Sequence, residues 1–158
     1  MKSITEGLTR EKLKSEITEV LAAQDTQPER MNARMGIGLI DCSIDETAVI
    51  DYSYQAKEAD LNPFGGVHVG AIATLFDTCI GLAAVAVTEK YVTTTDMSIR
   101  YLRALQGKNF RVHVELTHIG HKMVSGIGWI FDRETDELCA TGTASYMTLS
   151  YHEKGIRV

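Results

Sequence analysis

The chain changes its hydrophobic rhythm several times. Between Thr9 and Gln24, Leu13, Ile17, Val20 and Leu21 recur on one helical stripe, and Thr9 is placed to cap the first turn. Pro28, in DTQPER, ends that helix, because the residue before a proline avoids helical geometry. No second helix is expected to follow closely, which argues against a helix-turn-helix. MGIGLIDCSIDETAVIDYSYQ reads as two strands with a turn near Asp45, and KEADLNPFGG as a loop rich in turn formers. From Val67 to about Glu89 the chain is apolar nearly all round and rich in alanine. That is too long for a strand and predicts a helix of about six turns, buried on most sides.

Beyond this segment the period becomes two. TTTDMSIRYLRAL is strand-like, and NFRVHVELTHI alternates, with Phe110, Val112, Val114 and Leu116 on one face and Arg111, His113, Glu115 and Thr117 on the other. QGKN and IGHK are the turns, and KMVSGIGWIFD and ELCATGTASYMTL supply two further strands joined by DRETDE. Gly126, Gly128 and Gly142 within those strands predict bends or a close backbone approach. There is no internal repeat or low-complexity stretch. The pattern predicts an α+β fold: a long central helix wrapped by a curved antiparallel sheet of five to six strands in hairpin order, with an extra N-terminal helix. Residues 1–30 would form that helix and a linker, 31–150 the main domain and 151–158 a tail.

Composition narrows the class. With 158 residues, 44% hydrophobic and 23% charged, the chain can build one domain with a substantial core. The apolar runs are interrupted by Asp or Thr before they reach membrane-span length, and MKSITEGLTREKLKSEITEV has no apolar signal core, so a cytoplasmic protein without a membrane partner is expected. Cys42, Cys79 and Cys139 are far apart and odd in number, which suits buried small hydrophobes rather than a disulfide frame or zinc site. A net charge of −5 argues against nucleic acid. Yet Met97 to Phe131 holds five Lys or Arg (Arg100, Arg103, Lys108, Arg111, Lys122) and one acid, Glu115. That stretch suits solvated strand faces or a small anionic ligand.

Asp77 interrupts the most apolar segment. A buried carboxylate without a partner costs several kcal/mol or takes up a proton more readily. Asp77 is therefore expected either to reach the surface, to pair with an Arg, or to act as a base or nucleophile with a raised pKa in a dry pocket. NPFGGVHVG leads into the same helix, where Gly65 and Gly66 permit a tight bend. The first backbone N–H groups of a helix lack partners and carry its positive dipole end, so they suit a developing oxyanion. Val69 and Asp77, eight residues apart, lie about 12 Å apart along the axis. One carbonyl cannot touch both in one chain. If both act on it, a second copy's helix must run antiparallel alongside, in a two-fold dimer with shared sites. Gly70, Ala73, Gly81 and Ala84 would let such helices approach.

Asn62-Pro-Phe-Gly-Gly-Val-His68-Val-Gly70 followed by Asp77 resembles the helix-start signature of hotdog-fold acyl-CoA thioesterases of the PaaI type. The resemblance extends over residues 32–149, through TDMSIRYLRAL and CATGTASYMTL. It implies hydrolysis of an acyl-CoA thioester to free acid and CoA, with no cofactor beyond the CoA of the substrate, in a homodimer or dimer of dimers. By that resemblance Asp77 is the general base or nucleophile, Asn62 orients the reacting groups, and Thr94 positions water. His68 matches the family His, and the N–H at Val69, followed by Gly70, polarises the carbonyl. The family has His-Gly-Gly where this chain has His68-Val69-Gly70; the N–H survives, while the isopropyl group leaves less room in the acyl or pantetheine channel. Arg103, Lys108, His121 and Lys122 are the candidates for the CoA phosphates.

Two alternatives stand beside hydrolysis. An acyl-thioester hydratase or dehydratase needs a His and an acid close together, and His68 and Asp77 are nine residues apart. A non-catalytic acyl-CoA binding module would need an output domain, and about 30 residues precede the fold. His118 and His121 sit in a turn without a companion carboxylate, so no metal is expected. Gly126-Ile-Gly128 lacks the context of a nucleotide fingerprint, and Ser125 and Cys79 lack an activating neighbour.

Overall fold

A computed structural model describes residues 5–149; the expected tail at 151–158 lies outside the described residues. Helix α1 spans Arg10–Asp25, and the Thr9 side chain accepts from the Lys12 N–H at 3.2 Å as its N-cap. Leu13 and Ile17 of its stripe reach the core, whereas Val20 and Leu21 stay half-buried. A second helix, α2 (Met31–Met35), corrects the expectation that none follows. It has five residues and no side-chain cap, and it ends at Gly36 in the left-handed region, φ 62°. So short an element leaves almost no periodic signal.

Six strands follow: β1 (Gly38–Ile44), β2 (Ala48–Gln55), β3 (Val92–Tyr101), β4 (Asn109–Ile119), β5 (Met123–Asp132) and β6 (Leu138–Thr148). The long helix α3 (Val69–Thr88) lies between β2 and β3 in the chain. The strands form one antiparallel sheet in the order β1-β2-β4-β5-β6-β3. Hairpin order therefore holds except at β3, which crosses to pair with β6 at the far edge, Tyr101 opposite Ala140 and Val92 opposite Thr148. The period of a strand states which face is buried but not which neighbour it finds, so this crossover had no local signature.

The alternation in β4 is realised. Phe110, Val112, Val114 and Leu116 are buried beneath α3. Arg111 and His113 on the other face meet Asp51 at 3.0 Å each, and Arg111 stacks over the Phe131 ring at 4.4 Å. Helix α3 has the length and apolarity of a membrane span, but just over half of it is buried inside the protein, 56% of its most apolar stretch. Its apolar character is accounted for by the sheet it lies on. All three cysteines are free and buried.

The glycines set how deep α3 sits. Gly128 and Gly142 are cross-strand partners, and a Cβ on either would come within 2.8 Å of the Phe76 ring. A Cβ at Gly126 would meet Ile80 at 2.7 Å. Phe76 thus rests on bare backbone, and its full burial is worth about 2–3 kcal/mol. Because Phe76 precedes Asp77, this contact also fixes the height and rotation of the acid. Gly142→Val is expected to destabilise the fold by about 1–3 kcal/mol through overpacking, read as a lower urea midpoint. An unchanged midpoint would contradict this account of the helix–sheet contact.

Candidate active site

The loop before α3 is built by its own side chains. Asp60 accepts from the Lys57 N–H at 2.9 Å and from the Tyr54 hydroxyl at 2.7 Å. The Asn62 Oδ1 accepts from the Phe64 N–H at 2.8 Å and the Gly66 N–H at 3.3 Å, around Gly65 with φ 84°. The Val67 N–H donates to the Leu105 carbonyl, and the His68 N–H to that of Asp60. His68 is the N-cap of α3: its Nδ1 accepts from the Gly70 N–H at 2.9 Å, which leaves the ring proton on Nε2. The adjacent Val69 N–H has no acceptor among the described residues. The Val69 side chain is 51% exposed, and the Tyr101 hydroxyl donates to the Val69 carbonyl at 3.3 Å. The isopropyl group therefore sits at the surface of the single chain rather than in a channel within it.

Asp77 lies two turns further along α3 and is half-buried. Among the described residues one side of the carboxylate faces an open groove. No Arg or Lys pairs with it among the described residues; its partners are hydroxyls. The Thr94 Oγ1 donates to Asp77 Oδ1 at 2.6 Å. The Tyr146 hydroxyl donates to the Asp77 carbonyl at 2.8 Å and reaches Oδ1 at 3.4 Å. Burial first, and then the Asp77 charge, push the Tyr146 phenol well above its usual range, so it remains a proton donor. Thr94 and Tyr146 face each other across β3 and β6, and the register shifts immediately afterwards, leaving Thr95 as the extra residue of a bulge. Such a bulge re-aims side chains at the edge of a sheet.

The structure thus brings Asp77 and Thr94 together and holds His68, Val69 and Gly70 at the helix start, about 12 Å away along the axis. The Asn62 Oδ1 is engaged in the loop. The four basic candidates do not converge within one chain. Arg103 and Lys108 lie in the connection before β4, near the start of α3, and Arg103 faces Glu137 at 3.8 Å. His121 and Lys122 follow β4, eleven residues or roughly 36 Å further along the sheet. Of the four small helix residues, Gly81 and Ala84 are buried inside the chain, with Gly81 packed against Tyr146; Gly70 is exposed and Ala73 half-buried. Sequence reasoning missed Tyr146, whose alternating strand position looked structural, and the walls that α1 and α2 give the groove. Burial pushes the Cys79 thiol far up, which disfavours it as a nucleophile. Among the described residues no group of three or more His, Cys, Asp or Glu is placed to hold a metal.

The sequence profile of the Thioesterase superfamily matches residues 64–147, more than half of the chain, and spans α3, Asp77 and β3 to β6. No curated protein matches the chain at a significant level. Among solved structures, the PaaI protein of Escherichia coli, from the phenylacetic acid degradation operon, superposes with a TM-score of 0.73 at 15% identity, over 90% of this chain and 96% of that one. A thioesterase of Haemophilus influenzae gives a TM-score of 0.70 at 18% identity, over 85% and 93%. A Streptococcus mutans protein solved with bound acetyl-CoA gives 0.64 at 18%, over 74% and 91%. At these identities the structural likenesses show the shared fold, and the profile shows the family. With its glycine-seated central helix inside a six-stranded antiparallel sheet, the chain belongs to the thioesterase superfamily and has the hotdog fold.

Proposed function

We propose that the protein hydrolyses acyl-CoA thioesters to the free acid and CoA at a site shared between two copies of the chain. The observation that carries this reading is the arrangement along α3: a carboxylate bound by Thr94 at 2.6 Å, and a free N–H at Val69 two turns away. Thioester hydrolysis needs a group that activates water or attacks the carbonyl carbon, and a donor for the oxygen that becomes negative. Asp77 supplies the first and the Val69 N–H of the partner chain the second. Thr94 holds one carboxylate oxygen, which leaves the other for water or substrate. Tyr146 holds the backbone and rim of the acid and acts as a positioning residue.

The edge strands support the two-fold arrangement. At one edge β1 is engaged by α1, whose Arg10 Nε donates to the Cys42 carbonyl at 2.8 Å. At the other, β3 presents ten residues, almost all exposed, including Met97 at 38% and Tyr101 at 47%. A long open edge of this kind pairs readily with another strand. Antiparallel pairing of β3 with its copy would lay two α3 helices in opposite directions and bring Asp77 of each towards the helix start of the other. Arg103 and Lys108, in the connection whose Leu105 carbonyl binds the Val67 N–H before that helix start, are the groups proposed for the CoA phosphates. A hydratase would need an imidazole free to shuttle a proton beside the acid; His68 is remote from Asp77 within one chain, and its Nδ1 is engaged by the Gly70 N–H in capping the helix.

Two substitutions test the roles. Asp77→Asn keeps the shape and removes the base, and free-thiol release from a panel of acyl-CoAs is expected to fall about a hundredfold or more. Equal rates for variant and wild type would overturn the assignment. Val69→Pro removes the N–H and exchanges the exposed isopropyl group for a ring of similar size. Proline is favoured at the first helical position, and His68 already has the extended geometry that precedes a proline, φ −62° and ψ 138°. The fold should persist while kcat falls by about 10²–10³; a well-folded variant with full activity would remove the oxyanion role.

A further inference from the structure

We infer that the groove between α1, α2 and the middle of α3 receives an apolar acyl group, so that the two N-terminal helices, which lie outside the family-matched segment, select the substrate. The inference rests on the reading of Asp77 as the reacting carboxylate. The groove has a volume of about 720 Å³, within the range of roughly 300–1,000 Å³ usual for small-molecule sites. Asp77 and Thr94 stand in its wall, so the acid opens into it. Met31, Tyr91 and Leu149 also line it, and these apolar side chains remain 58%, 49% and 38% exposed. Across from them Val85 is half-buried on a helix whose neighbouring positions are buried. Apolar surface gathered around a carboxylate asks for an apolar occupant whose reactive end meets that carboxylate.

The lining also excludes the other half of a thioester substrate. Arg30 is the one cation among the lining residues, a poor match for a polyphosphate. The wall is tied to the reacting end as well. Thr78, the residue after Asp77, is buried, and its hydroxyl donates to the Asn32 Oδ1 of α2 at 3.2 Å. The position of α2 and the setting of the acid are therefore coupled through one hydrogen bond. Ala23, on the open side of α1, faces the groove without entering the core. A larger side chain there would shorten the space for an acyl chain.

The test compares acetyl-CoA and octanoyl-CoA as substrates, and S-octyl-CoA, a thioether that cannot be hydrolysed, as a ligand in calorimetry. Each buried methylene contributes about fourfold in affinity, so Ala23→Trp, displacing about three, should lower the octanoyl-to-acetyl ratio of kcat/KM about fiftyfold. The affinity for S-octyl-CoA should fall in parallel. Met31→Ala truncates an exposed side chain, is not expected to disturb folding, and should lower the same ratio by about fourfold. If neither ratio nor affinity moves while hydrolysis persists, the groove is not the acyl site, and only this inference fails. If Ala23→Trp changes the oligomeric mass by light scattering, a second copy covers the groove and the inference is overturned. Should the wild type release no thiol yet bind S-octyl-CoA, with weaker binding in Ala23→Trp, hydrolysis fails and the acyl site stands.

Discussion

The contact of Phe76 with the paired glycines Gly128 and Gly142 is the constraint on which the rest of the structure depends. Removing two side chains from the sheet lets an aromatic ring lie on backbone, and it draws α3 closer than a sheet of ordinary residues permits. The next residue along the helix is Asp77. With Phe76 seated, the acid emerges at the height of β3 and β6, where Thr94 and Tyr146 reach it from opposite strands. A shift of one residue in the helix would turn the carboxylate into the core or away from its donors. Packing at the centre of the sheet thus determines the geometry of the chemistry at its edge.

The same helix carries both ends of the proposed site, and this creates a problem of distance. About 12 Å separates the Val69 N–H from Asp77, more than a single carbonyl can bridge. The open β3 edge offers the solution, since a two-fold copy restores proximity without bending the helix. In this account the strand left unpaired in one chain is the sign of the missing neighbour, and the groove beside the carboxylate is left for substrate. The N-terminal helices complete the arrangement differently. Helix α1 shields β1, and α1 and α2 form the wall of the groove beside the acid.

Much of this was legible in the sequence, for identifiable reasons. Helix α3 announces itself by being apolar on every side, and the β4 alternation by the strict period of Phe110 to Leu116. Gly126, Gly128 and Gly142 were readable as close approaches because glycine in a strand otherwise weakens it. The resemblance carried by the loop signature from Asn62 to Gly70, with Asp77 beyond it, singled out Thr94 as a residue to position water; its direct bond to the acid is what the structure adds. What stayed hidden was non-local. The crossing of β3 to β6 depends on a partner 52 residues away at Thr94, and Tyr146 looks like any buried strand tyrosine. Helix α2 has five residues and no cap. The basic side chains, close in sequence, are sent to opposite ends of a strand about 36 Å long.

The most direct test of the central claim mixes two inactive proteins. Asp77→Asn lacks the carboxylate and Val69→Pro lacks the helix-start donor, so a mixed dimer contains one site with neither group and one site with both. After subunit exchange in an equimolar mixture, half of the dimers are mixed and each has one intact site. A shared site therefore predicts recovery of about a quarter of wild-type thiol release. A mixture as inactive as its two components, with exchange verified by mass, would contradict the account.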